Sequence, residues 1–126
     1  MYLVFKNERL APDVMAQPEI DLYQWRIVQR SNGSLHITTQ IASGTLRVTS
    51  ALLAIELSQG RIKTESGRCY RLCTPPETDQ LVLFQLYHNA VREIGVVSGD
   101  ISEPIWKAIS SGAWASDDKC MLPAIQ

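Results

Sequence analysis

Between Asp21 and Cys73 apolar and polar residues alternate in short runs, and the runs are divided by glycine-bearing dipeptides. A period of two places successive side chains on opposite faces of an extended chain and cannot supply one face of a helix. The segment therefore reads as a β-meander. Asn32-Gly33 divides Leu22 to Arg30 from Ser34 to Ile41, and this dipeptide accepts positive φ at both centres of a two-residue hairpin. Gln59-Gly60 divides Ala51 to Ser58 from Arg61 to Glu65, and Ser66-Gly67 divides the latter from Arg68 to Cys73. Ser43-Gly44 bends the chain before a short strand at Leu46 to Thr49 whose pairing the sequence does not assign.

At Thr74-Pro75-Pro76-Glu77 the pattern changes: Thr74 can cap a helix, proline suits its first turn, and Glu77 completes a capping box. A helix is expected to begin there or within the next four residues. At 100° per residue Leu83, Phe84, Leu86, Tyr87, Ala90, Val91 and Ile94 share an apolar arc, and Gln85, His88, Asn89, Arg92 and Glu93 a polar one. Gly95 suits a left-handed C-cap. A shorter helix is expected from about Glu103 to Ser110, capped by Asp100 or Ser102 and burying Ile105, Trp106 and Ile109.

These elements predict one α+β domain over 1–126: a bent antiparallel meander or partial barrel of about five to six strands, closed by one long and one short C-terminal helix. Residues 1–20, with Pro12 and Pro18, read as one edge strand near Tyr2 to Phe5 and an irregular lead. Residues 21–73 form the meander, 74–110 the helical part and 111–126 an irregular tail. A chain of 126 residues, 45% of them apolar, can bury one core without a metal or disulfide framework. Its longest apolar runs, such as Ala51 to Ile55, are far shorter than a bilayer span, and no basic leader precedes Tyr2 to Phe5, so a cytoplasmic location is expected.

Three cysteines, an odd number, suit a reducing compartment. On one strand Cys69 and Cys73 would lie roughly 13 Å apart, beyond disulfide reach and too far to share a tetrahedral metal.

Catalytic patterns are absent from the chain: there is no phosphate-binding glycine loop, no nucleophile elbow and no paired-histidine zinc motif. No cofactor or metal is expected. His36 follows a turn with the parity of a residue facing away from the core, and His88 falls on the polar helical arc, so both are expected on the surface. Asp117 and Asp118 fit a solvated tail better than an acid-base pair, and Cys120, beside Lys119, has no histidine near it in sequence.

Charge carries more information. Leu22 to Cys73 holds seven basic residues against two acidic ones, whereas the chain from Thr74 onward holds three basic against seven acidic. Strand parity sends Arg26, Lys63 and Arg71 opposite Trp25, Ile62 and Tyr70, so a shared basic outer face is expected, to which Arg47, Arg61 and Arg68 add. Such a face can attract nucleic acid or an acidic protein, although outward arginines also serve solubility and the acidic C-terminal part can neutralise them. Tyr23, Trp25 and Tyr70 have inward parity, which leaves no stacking platform for single strands. Trp106 reads as core, while Trp114, among small residues, is a candidate interface residue.

Leu46-Arg47-Val48-Thr49-Ser50 and Ser66-Gly67-Arg68-Cys69-Tyr70-Arg71-Leu72, with Pro75-Pro76, form a pattern over about one quarter of the chain. It resembles a group of short uncharacterised bacterial proteins, often from variable or mobile parts of genomes, that share R-V-[TS]-S and S-G-R-x-Y-x-L. Those proteins tend to have glycine before the double proline, where this chain has Cys73-Thr74. The resemblance implies an accessory protein and no activity.

The function expected is that of a non-enzymatic binding protein acting through a protein–protein surface, for example an accessory or mobile-element factor that inhibits a host system. The alternative is a nucleic-acid-binding module using Arg26, Arg47, Arg61, Lys63 and Arg71. An enzyme would need Cys120 or His88 to meet a partner in a pocket.

Overall fold

The computed structural model describes residues 2–4 and 19–111. Its strands are β1 (Tyr2–Val4), β2 (Ile20–Leu22), β3 (Trp25–Arg30), β4 (Leu35–Gln40), β5 (Leu46–Val48), β6 (Leu52–Glu56), β7 (Arg61–Thr64), β8 (Cys69–Leu72) and β9 (Val97–Asp100). Its helices are α1 (Gln80–Ile94) and α2 (Ser102–Ser111). The α+β class is as expected, and the strands form two sheets that do not close into a barrel. One sheet has the order β1-β6-β7-β8-β2 and the other β5-β4-β3-β9.

Three of the four glycine turns share one geometry. Gly33, Gly44 and Gly67 each donate an amide proton to the carbonyl three residues back, on Arg30, Ile41 and Thr64. The amides of those three residues return bonds to Ser34, Thr45 and Arg68. This is the three-residue loop in which a tight turn is followed by a glycine of positive φ. Gly33 has φ 89° while no non-glycine residue among the described residues has positive φ, so Asn32-Gly33 closes a three-residue loop rather than the expected two-residue one. The same loop at Gly44 folds β5 back onto β4, with Thr38 opposite Val48, which supplies the pairing the sequence left open.

The expected single meander is cut in two. Leu22 to Arg30 breaks at Tyr23-Gln24: β2 runs parallel to β8 in the first sheet, and β3 enters the second. The break lets one segment supply core residues to both layers, since Leu22 and Trp25 are each fully buried. The inner faces meet in one cluster, with Trp25, Ile27, Leu35 and Ile37 on one side and Leu52, Ile55, Ile62, Tyr70 and Leu72 on the other. Burying a Leu- or Ile-sized side chain contributes about 2 kcal/mol, so this apolar layer is the main stabilising term. From α2, Ile105 and Ala108 complete the cluster, and Trp106 and Ile109 pack against it.

Helix α1 lies on the opposite face of the second sheet, in contact with β3, β4, β5 and β9. It starts at Gln80, beyond the expected four residues after Thr74. The Asp79 carboxylate caps it by accepting from the Leu81 and Val82 amides, while the Thr74 hydroxyl donates to the Tyr23 carbonyl. The expected capping box therefore does not form: Glu77 accepts from Thr78 and Asp79, and its own amide donates to the Trp25 carbonyl. Gly95 ends the helix with φ 84° but an extended ψ of −149°, outside the left-handed helical region. At α2 the Asp100 carboxylate accepts from the Ser102 amide, and the Ser102 hydroxyl accepts from the Ile27 amide. The edge strand near the N-terminus is present as β1, antiparallel to β6. The expected features at Pro12, Pro18, Trp114, Asp117, Asp118 and Cys120 lie outside the described residues.

Candidate functional site

The basic residues do not share a face. Arg26 stands opposite Trp25 as parity requires, but that face of the second sheet lies under α1, and Arg26 is only 7% exposed. Its guanidinium donates to the Glu77 carbonyl and to the Glu103 carboxylate, 2.7 Å away, and lies 3.5 Å from Asp100. The Tyr87 hydroxyl donates to the same Asp100 carboxylate. Burial lowers the Arg26 pKa, but Asp100, Tyr87 and Glu103 outweigh it and leave the group above its ordinary value. Burial, reinforced by the bond to Asp100, likewise raises the Tyr87 phenol, so both groups are held in their protonated forms. This network locks β3, α1, β9 and α2 together.

Arg61, Lys63 and Arg71 point outward from the first sheet, where Arg61 lies opposite Arg71 and is flanked across β6 by Glu56. Two like charges facing each other are unfavourable unless acids intervene. Glu19 supplies one carboxylate oxygen 2.7 Å from Arg61 and the other 3.7 Å from Arg71, and Asp21 lies 3.4 Å from Arg71. The row across the sheet thus runs acid, base, base, acid. Arg47 is half-buried on the edge strand β5, and its buried Nη1 has no hydrogen-bond partner among the described residues. Arg68 is exposed at the turn before β8.

The histidines depart from expectation in one case. His36 is buried, with Nδ1 2.9 Å from the Thr49 carbonyl and Nε2 2.9 Å from the Ser34 hydroxyl. A carbonyl can only accept, so Nδ1 carries the proton. Burial lowers the His36 pKa against the opposing pull of that carbonyl, so the neutral ring is favoured. His88 is exposed as expected and stacks on Phe84, with ring centroids 5.9 Å apart and planes 12° from parallel. Tyr23 is exposed rather than inward, because its position is the bend between sheets and not a strand. Cys69 and Cys73 are free thiols. Among the described residues no group of three or more His, Cys, Asp or Glu side chains could hold a metal ion.

The surface that remains unaccounted for is the outer side of α1. The apolar arc of the sequence is covered only in part: Leu86 and Ala90 are buried, together with Asn89 of the polar arc, and Leu83, Tyr87 and Ile94 are half-buried, but Phe84 and Val91 are exposed. Leu81 is 79% exposed, Phe84 71%, Val91 51% and, just beyond the helix, Val96 77%. The helix is turned this way by polar anchors. The Thr38 hydroxyl of β4 donates to the Leu86 carbonyl over 2.7 Å, and Tyr87 reaches Asp100, which together fix the side that meets the sheet. Single exposed apolar residues are ordinary, but a contiguous row marks a contact surface. Leu81, Phe84, His88 and Val91 follow one another at intervals of three, four and three residues, the seam spacing of a helix that packs on another helix. Amphipathicity alone could not reveal this row, since it assigns Phe84 and Val91 to the covered side. No helix among the described residues is long and apolar enough to cross a membrane. Searches of protein-family models, of curated proteins and of solved structures find no match to this chain.

Proposed function

We propose that the protein is a non-enzymatic binding protein acting through a protein–protein surface, and that this surface is the seam Leu81, Phe84, His88 and Val91 of α1. The supporting observation is the exposure of Phe84, the largest apolar side chain on a helix whose opposite side is anchored by Thr38 and Asp100. Aromatic residues of this kind supply interface energy when a partner removes them from water. Nucleic acid is the weaker reading, because Arg26, Arg61 and Arg71 are already engaged by carboxylates. The test places a photo-crosslinking phenylalanine analogue at position 84 in producing cells, with the same analogue at position 68 as control. A discrete adduct to a protein chain from position 84 alone is expected. No adduct, or the same adducts from both positions, would remove the reading.

A further inference from the structure

Resting on that reading, we infer that the occupant of the seam is a second copy of this chain, packed antiparallel through α1 about a two-fold axis. A two-fold contact requires a surface complementary to itself. The interval pattern three, four, three is symmetric about the level of Leu86. Turning one helix end for end about that level sets Leu81 against the second copy's Val91 and Phe84 against the second copy's His88. Every apolar or aromatic seam residue therefore meets another, and the Phe84–His88 stack of each copy joins one ring layer. The side that anchors α1 to its own sheet, carrying Leu86, Asn89 and Ala90, points away from the axis and stays where it is.

Charge favours the same arrangement. Arg92, in the last turn, forms none of the ion pairs among the described residues. In the antiparallel pair it comes level with the second copy's Gln80, beside the Asp79 cap and the Glu77 carboxylate. A parallel pair would instead set Arg92 against Arg92 and Asp79 against Asp79. Antiparallel helices also oppose their macrodipoles favourably. A helix of 15 residues is about 22 Å long, so the contact is at the small end of specific interfaces and its affinity is roughly micromolar to a hundred micromolar.

The test is sedimentation of the full wild-type chain from about 1 to 500 µM, a range that brackets this affinity. A monomer–dimer equilibrium is expected, with Phe84→Glu weakening it at least tenfold while its far-ultraviolet circular dichroism stays unchanged. The Arg92→Glu variant also weakens it, and combining Arg92→Glu with Gln80→Lys, which leaves the Asp79 cap intact, recovers part of the loss. Crosslinking from position 84 in a mixture of nitrogen-15 and unlabelled protein is expected to give mixed-isotope peptides that contain His88. A wild-type chain that stays monomeric at 500 µM overturns the inference, as does a dimer indifferent to Phe84→Glu. So do crosslinks that join position 84 only to residues of the same copy. If the purified chain is monomeric but position 84 still captures one different protein in cells, the self-pairing falls and the binding function stands. If neither occurs, both fall.

Discussion

Arg26 and Glu103 meet at 2.7 Å across 77 positions of sequence, and the two partners have unequal environments: the Arg26 side chain is 9% exposed and that of Glu103 65%. The inequality sets the outcome of removing each. Without Arg26 the Asp100 carboxylate loses its cation and the Glu77 carbonyl loses a donor, beneath a packed helix. Arg26→Ala is expected to cost about 2–4 kcal/mol. Glu103→Gln removes a charge that water already screens and is expected to cost less than about 1 kcal/mol. Urea unfolding midpoints of the two variants check this, and equal losses would contradict it.

His36 makes stability depend on pH with a definite sign. Its folded pKa lies below its unfolded value, so the unfolded chain binds the proton more readily. The contribution is fully present above the unfolded value of about 6.5 and is lost as pH falls toward the folded value. Unfolding free energy is therefore expected to decline between pH 7.5 and 5.5, and His36→Gln is expected to flatten that slope. A slope unchanged in the variant would show that another group carries it.

Gly60 and Gly33 separate backbone strain from crowding. Both have positive φ, 63° and 89°, but a Cβ at Gly33 meets nothing within 4 Å. At Gly60 it would lie 3.1 Å from the Leu72 carbonyl oxygen and 3.4 Å from Ile109. Gly33→Ala is expected to cost about 1 kcal/mol from φ alone. Gly60→Ala should cost about 1 kcal/mol or more beyond that, because backbone on β8 has to shift. Thermal midpoints of the two variants give the comparison.

Glu19 and Asp21 hold the basic row of the first sheet near neutrality. Replacing them by Gln and Asn should change stability by less than about 1 kcal/mol, since exposed pairs contribute little. It should also leave Arg61 and Arg71 free to bind phosphates. Anisotropy of a labelled DNA duplex is expected to reveal weak, salt-sensitive binding by the double variant at low salt and much less by the wild type. Equal binding by both would return nucleic acid to the leading position.

Residues close in sequence were legible because their interactions are local. The glycines of the turns, the opposition of Trp25 and Arg26, and the burial of Ile62 and Tyr70 follow from a period of two and from φ sterics, which the chain carries wherever it goes. What lies over a given face is not local. Strand parity sets Arg26 opposite Trp25, yet its face is covered because α1, more than fifty residues later, packs on it. The split at Tyr23-Gln24 and the turn of α1 that exposes Phe84 have the same origin: Cys73 pairs with Leu22, and Thr38 and Asp100 seize the helix through hydrogen bonds. Periodicity fixes which side chains share a face, and only contact between distant elements decides whether that face meets water, a helix or another molecule.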